Sequence, residues 1–312
     1  MIGKHKPLIT IIGPTAIGKT GFAIELAKRI NGEIIGADSR QIYKQMEIGT
    51  AAPTPFELEQ CPHHMIGIVE PDYNLTLAEY QEQAYEIINQ IHAREKIPLL
   101  VGGTGQYITA LIEGWSIPRV PPNAEIRLKW EQFAESQGPI KLSEQLRKVD
   151  PEAADNIHPN NIRRTVRALE VYEITGKPIT QLQKKNPPPY LIKTIGLNMD
   201  RELLYQQADK RVDKMLAQGF LEEVERLLER YNKNLPSLSG LGYSELAAYL
   251  LDEIPLDLAI QLTKNNTHDF IRRQLIWFRN HDYNTYWLDM AIEQTDTPID
   301  MIINWLKGLE SV

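Results

Sequence analysis

Gly13-Pro14-Thr15-Ala16-Ile17-Gly18-Lys19-Thr20 fits the pattern G-x-x-x-x-G-K-[ST], whose glycines, lysine and hydroxyl are spaced to wrap a polyphosphate. The glycines let backbone N–H groups turn inward around phosphate oxygens. A helix opening at the lysine adds about half a positive charge at its N-terminus. Lys19 supplies a full charge, and the Thr20 hydroxyl can ligate Mg²⁺. The chemistry this predicts is binding of a di- or triphosphate. The loop itself leaves open whether the phosphate is transferred, hydrolysed or expelled.

The flanking elements suit that loop. Residues 8–12 (LITII) read as a short buried parallel strand, and residues 20–30 set Phe22, Ala23, Leu26, Ala27 and Ile30 at helical spacing. Strand, glycine loop and helix form the context the motif requires. Gly32–Ala37 (GEIIGA) reads as a second strand ending at Asp38-Ser39. Ligands of open α/β sheets lie beyond the carboxyl ends of the strands, so Asp38 falls near the loop if the two strands are neighbours. Residues 98–101 (PLLV) are a further core strand, followed by Gly102-Gly103-Thr104. A nucleotide hydrolase of this class usually carries an acidic metal ligand there. Two glycines and a threonine argue instead for close backbone approach to a ligand, with the Thr104 hydroxyl as the polar contact. Residues 65–69 (MIGIV) read as another strand, and Thr76-Leu77-Ala78-Glu79 as a capping box that opens a helix. Cys61-Pro62-His63-His64 has no distant partners with which to build a zinc site, and is assigned a structural role.

The 312 residues allow one large domain with an insertion. A proline-rich connection at 116–123, helices near 123–136 and 161–175, and Pro187-Pro188-Pro189 mark residues 116–190 as a mostly helical insertion. The expected architecture is α/β: a phosphate-loop (P-loop) NTPase-like parallel sheet flanked by helices, formed by residues 1–115 and 191–312. Residues 190–198 resume the sheet, Asp200 caps a helix to about Ala217, residues 238–243 are a flexible turn, and residues 257–279 form a long helix. No apolar run approaches a membrane span, a signal-peptide pattern is absent, and a cytoplasmic monomer is expected. A single cysteine excludes an internal disulfide. The net charge of −7 does not advertise a nucleic-acid binder, yet residues 119–193 carry about 13 basic and about 9 acidic side chains. Arg272 and Arg273, close to Trp277 and Phe278, suit either RNA contact or a helix packed by its aromatics with arginines outside.

Together these motifs resemble bacterial tRNA dimethylallyltransferase, also called tRNA isopentenyltransferase. The resemblance runs through GPTAIGKT at 13–20, ADSRQIYKQMEIGTAAPT at 37–54 and LLVGGTGQYITALIEG at 99–114. It continues with HPNNIRRTVRALEVYEITGKP at 158–178, KRVDKMLAQGF at 210–220, GLGYSEL at 240–246 and RRQLIWFR at 272–279. The departures are His268 where arginine is usual, Ser239 where some members are basic, and Gly67 in place of a frequent aspartate.

The resemblance implies transfer of a dimethylallyl group from dimethylallyl diphosphate to N6 of the adenosine just 3′ of the tRNA anticodon. Diphosphate leaves, held by residues 13–20 with Mg²⁺ on Thr20. It implies Asp38 as the base, with Thr104 and Arg211 lining the diphosphate end of the site. It further implies that tRNA is contacted by Asp38, Ser39, Arg40, Gln41 and Thr104, by Arg127, and by Asn160, Asn161, Ile162, Arg163 and Arg164. Ser239, Gly240, Leu241, Gly242, Tyr243 and Ser244, with Arg272 and Arg273, complete the expected RNA surface. The rival readings are an adenylate dimethylallyltransferase acting on free AMP, ADP or ATP, and an ATP-binding nucleotide kinase or ATPase.

Overall fold

Runs of β-branched residues too short for helices build one parallel sheet. In the computed structural model, which describes residues 6–281, 283–291 and 296–310, its strands are β1 (Pro7–Ile12), β2 (Gly32–Ala37), β3 (His63–His64), β4 (Ile97–Gly102), β5 (Leu191–Asn198) and β6 (Tyr286–Asp289). The order is β3-β2-β4-β1-β5-β6, with every neighbouring pair parallel. Every residue of β1, β2 and β4 is buried, as expected of a parallel sheet covered on both faces. Alternate side chains serve opposite faces. Leu8, Ile12, Ile35 and Leu100 join Tyr80, Ala84 and Ile88 of the helix Leu77–Ala93. Ile9, Ile11, Ile34 and Leu99 join Phe22, Ala23 and Leu26 of the helix Lys19–Ile30, and Leu204 and Ala208 of the helix Arg201–Ala217.

β2 and β1 are not direct neighbours: β4 lies between them. The phosphate loop, the turn after β4 and Asp38 therefore all emerge from one edge, with the Gly102 turn in the middle. A Cβ on Gly102 would stand 2.0 Å from the Ala37 carbonyl oxygen, so only glycine lets the ends of β2 and β4 close together here.

The strand expected over residues 65–69 is not formed. Met65 and Gly67 take positive φ values of 63° and 57°, which break the extended chain after His64. Residues 67–69 instead follow the loop after Asp38, with Gly67 N donating to Gln41 O and Ile68 N to Ile42 O. The turn at 238–243 begins as a 3-10 helix, Ser237–Ser239, and buries Leu238 and Tyr243. β6 and the helix Asp296–Glu310 add a strand and a covering helix beyond those expected from the sequence.

Glu113–Pro188 is a separate compact unit. Its helices Ala124–Gln137, Pro139–Val149, Pro151–Asn156, Ile162–Thr175 and Ile179–Leu182 enclose their own core of Leu142, Leu146, Val166, Leu169 and Val171. The entering and leaving chains pair at its neck through Trp115 and Lys185. The ends of the unit, Glu113 and Pro188, lie beside the proline-rich stretches at 116–123 and 187–189. Glu170, fully buried, accepts from Arg127 at 2.8 and 3.1 Å, from Arg167 at 2.5 Å and from Asn123 N at 2.7 Å. Burial raises its carboxyl, but the two arginines outweigh that and hold it below the ordinary carboxylate value. No helix among the described residues is long and apolar enough to cross a membrane.

Candidate active site

The phosphate loop turns through Gly13, Ala16 and Gly18, at φ 153°, 65° and 93°. Gly18 caps the helix Lys19–Ile30 without a side-chain hydrogen bond, and the first turn carries no acidic residue. The amides at this helix end are thus not neutralised by a capping side chain. Pro14 and Ile17 are buried and contribute backbone, whereas Thr15, Lys19 and Thr20 are partly exposed. The Lys19 ammonium donates to Gly13 O at 3.0 Å and Pro14 O at 2.7 Å. Protein packed around that ammonium lowers its pKa to about 7. Asp38 opposes the shift and Arg211 adds to it.

Asp38 follows β2. One of its carboxylate oxygens accepts from Arg40 N at 2.9 Å, an Asx-type turn that orients the side chain. Thr104 makes its hydrogen bonds to the backbone beside the carboxylate rather than to the carboxylate itself. Its Oγ1 accepts from Ser39 N at 2.9 Å, and its own N–H donates to Ala37 O at 3.1 Å, so it pins the backbone on both sides of Asp38. Arg40 donates to Pro236 O, to Ser237 O at 3.2 Å and to Ser239 Oγ at 3.3 Å. Gln41 donates to Thr50 O and Ala51 O. These bonds fix the Ser39–Arg40–Gln41 turn before any ligand arrives.

Arg211 comes from the helix Arg201–Ala217. Burial lowers its pKa and Asp38 raises it, which puts cation and carboxylate in one electrostatic neighbourhood. Thr15, Lys19, Thr20, Asp38, Gln41 and Arg211 line a cleft of about 1100 Å³ that also takes in apolar Ile48, Ile66 and Met215. Lys19, Lys210, Arg211 and Lys214 bring positive charge to it, Asp38, Glu47 and Glu57 bring carboxylates, and part of its wall is greasy. That set can hold a polyanion, accept a proton and shelter a hydrocarbon.

The remaining expected residues divide by exposure. Tyr243 is 1 % exposed, packs edge-on against Phe220 and donates to Glu223 at 2.7 Å, so its side chain is core. Gly240 and Gly242 are buried, Leu241 is half-buried, and Ser239 and Ser244 are exposed. Arg272 and Arg273 lie on the outer face of the helix Leu256–Asn280. Arg272 is paired with Asp269 and donates to Tyr205, and Arg273 sits over Phe270. The inner face packs Gln274 and Phe278. His268 pairs with Asp209 at 2.8 Å and stacks on Tyr205. In the unit Glu113–Pro188, Asn160, Arg163 and Arg164 are exposed. Asn161 caps its helix, Ile162 packs on the unit's core, and Arg127 is committed to Glu170. His63 bonds Cys61 O and His64 bonds Glu33. Among the described residues no group of three His, Cys, Asp or Glu side chains could hold a metal.

Two buried polar residues were not identified from sequence. Glu223 accepts from Ile48 N at 2.8 Å and Gly49 N at 3.0 Å, fixing the loop that supplies the apolar wall. Gln274 bonds the phosphate loop and the turn after β4. Neither has a local signal, because each reads as an ordinary helical polar residue until its partners are known.

The chain matches the family described as IPP transferase over residues 41–281, and isopentenyl transferase over residues 7–70. It is 53% identical over 274 residues to a tRNA dimethylallyltransferase of Roseiflexus sp., covering 88% of this chain and 90% of that relative. It is similar to the solved full-length tRNA isopentenylpyrophosphate transferase of Bacillus halodurans, with TM-score 0.73 and 40% identity across 98% of this chain and 97% of that one. A eukaryotic dimethylallyltransferase solved while acting on tRNA matches with TM-score 0.81 and 28% identity, across 97% of this chain and 80% of that one.

Proposed function

The chain belongs to the IPP transferase family, and from that premise we propose that it transfers the dimethylallyl group of dimethylallyl diphosphate to N6 of the adenosine 3′-adjacent to the tRNA anticodon, releasing diphosphate. The observation that carries this reading is the cleft in which Asp38, Lys19 and Arg211 meet beside an apolar wall. A bond forms between N6 and the prenyl C1, and the C1–O bond breaks with its electron pair going to diphosphate. The N6 proton goes to the Asp38 carboxylate. A carboxylate is a weak base for a neutral amine; it suffices because attack makes the amine acidic. Loop amides, Lys19 and Arg211 stabilise charge on the leaving diphosphate.

Mg²⁺ fits this cleft on one protein ligand. Thr20 is partly exposed at the helix start, and its hydroxyl would hold the ion together with diphosphate oxygens. The ion would offset leaving-group charge. Gly102-Gly103-Thr104 offers no carboxylate after β4, which suits expulsion of diphosphate better than hydrolysis of ATP. A target base must leave the anticodon stack, at a cost of a few kcal/mol. Exposed Asn160, Arg163 and Arg164 are suited to the RNA backbone, and a cytoplasmic monomer is the state proposed.

The test is incubation with labelled dimethylallyl diphosphate and Mg²⁺, with unmodified tRNA in one tube and AMP or ATP in another. Label enters tRNA at the adenosine beside the anticodon. Label in the nucleotide alone supports the adenylate reading, and ATP hydrolysis without label supports the ATPase. Arg164→Ala weakens tRNA binding and lowers the slope of log K against log salt by about one counterion; an unchanged slope would place Arg164 away from the RNA backbone.

A further inference from the structure

We propose that Gln274 is a positioning residue that sets the separation between the diphosphate cradle and the loop bearing the base, a role that rests on the reaction proposed above. Gln274 is 6 % exposed. Its Oε1 accepts from Thr15 N at 2.8 Å, inside the phosphate loop. Its Nε2 donates to Gly103 O at 2.9 Å, in the turn after β4. The next residue, Thr104, accepts from Ser39 N and donates to Ala37 O. One planar amide thus joins the leaving-group cradle to the turn that brackets Asp38.

The surroundings are built for this side chain. A Cβ on Gly103 would stand 2.2 Å from the Gln274 amide nitrogen, so glycine there is what admits the amide. One turn further along the helix, Trp277 lies where a Cβ on Gly105 would clash, and it donates to Thr109 at 3.0 Å. The helix is thereby held in register at the residue that bridges the two loops. The bridge needs an acceptor and a donor at the end of one long side chain. Asparagine is a methylene too short, methionine fills the space without either bond, and ionised glutamate accepts but cannot donate. Displacement of reacting groups by about 1 Å can cost about 10²-fold in rate, which is the scale expected if the two loops drift apart.

Wild type, Q274M and Q274E are compared for kcat, donor KM, pyrophosphate affinity, tRNA affinity and Tm. Q274M lowers kcat by about 10–100-fold and weakens pyrophosphate, while tRNA affinity stays within about twofold. For Q274E, the ratio of its kcat to that of wild type rises as pH falls from about 8.5 to about 6, because only the protonated carboxyl donates to Gly103 O. A Q274M enzyme with wild-type kcat and pyrophosphate affinity overturns the role, and so does a flat pH ratio for Q274E. Should Q274M not fold, the Q274E ratio decides. If wild type transfers no label to tRNA, the proposed reaction fails, and pyrophosphate affinity still judges the strut, since equal affinities in wild type and Q274E at alkaline pH overturn it.

Discussion

Asp38→Asn slows prenyl transfer by about 10²–10⁴ while tRNA still binds. Asparagine is the informative replacement because its amide oxygen can still accept from Arg40 N, as the carboxylate does at 2.9 Å. The turn through Ser39 and Arg40 is also held by Thr104 and by the Arg40 contacts to residues 236–239, so the loop keeps its shape. What the variant loses is the ability to take a proton. It also loses a negative charge close to Lys19 and Arg211, which Asp38 supports in their charged forms. Removing a carboxylate beside the diphosphate site eases its like-charge repulsion but also withdraws support from the Lys19 ammonium, so donor affinity moves by the balance of the two while the rate falls. Single-turnover rates with saturating tRNA, alongside pyrophosphate titration, separate the two effects. A single-turnover rate within about threefold of wild type would remove Asp38 from the base role, whatever happened to KM.

What the sequence made legible is what local chemistry determines. The phosphate loop is one contiguous stretch that works mainly through backbone, so its residue types name its ligand. Helix starts at Thr76, Asn123, Asn161 and Asp200 are each set by a side chain bonding an amide two or three residues on, and each was readable in advance. Distant pairings were not. Gln274 and Thr15 are 259 residues apart, and Glu223 and Ile48 are 175 apart. Nothing in either neighbourhood marks such a residue until the sheet brings its partner near. Residues 65–69 misled because apolar composition does not reveal positive φ at Met65. Tyr243 was placed at the RNA surface by resemblance alone, and nothing local marks it as a buried corner, because its partner, Glu223, lies 20 residues away. Arg272 and Arg273 were open to two readings, and the side of the helix that packs, with Gln274 and Phe278, leaves both arginines outside.

Lys19→Ala lowers kcat by about 10²–10³ or more, since loss of one preorganised donor to developing negative charge costs that much elsewhere and this donor carries a full charge. Its second consequence is a pH signature. With burial bringing the ammonium to about 7, much of the free enzyme carries a neutral Lys19 at pH 8. An anion binds the ammonium form and not the amine, so pyrophosphate raises the Lys19 pKa, and binding at pH 8 takes up a proton. By linkage, affinity is highest below about 7 and falls as pH climbs through that value toward the pKa of the complex. Pyrophosphate titrates in this range as well, and the difference between wild type and Lys19→Ala removes its contribution, because both proteins meet the same ligand. Calorimetry in buffers of different ionisation enthalpy counts the protons directly. The excess uptake by wild type should approach one proton near pH 8.5 and shrink below pH 6.5. Lys19→Arg stays charged throughout, so it loses the excess uptake while keeping part of the affinity. Equal proton uptake in wild type and Lys19→Ala, with equal pyrophosphate affinity, would mean that the ammonium bonded to Gly13 O and Pro14 O serves only to close the loop.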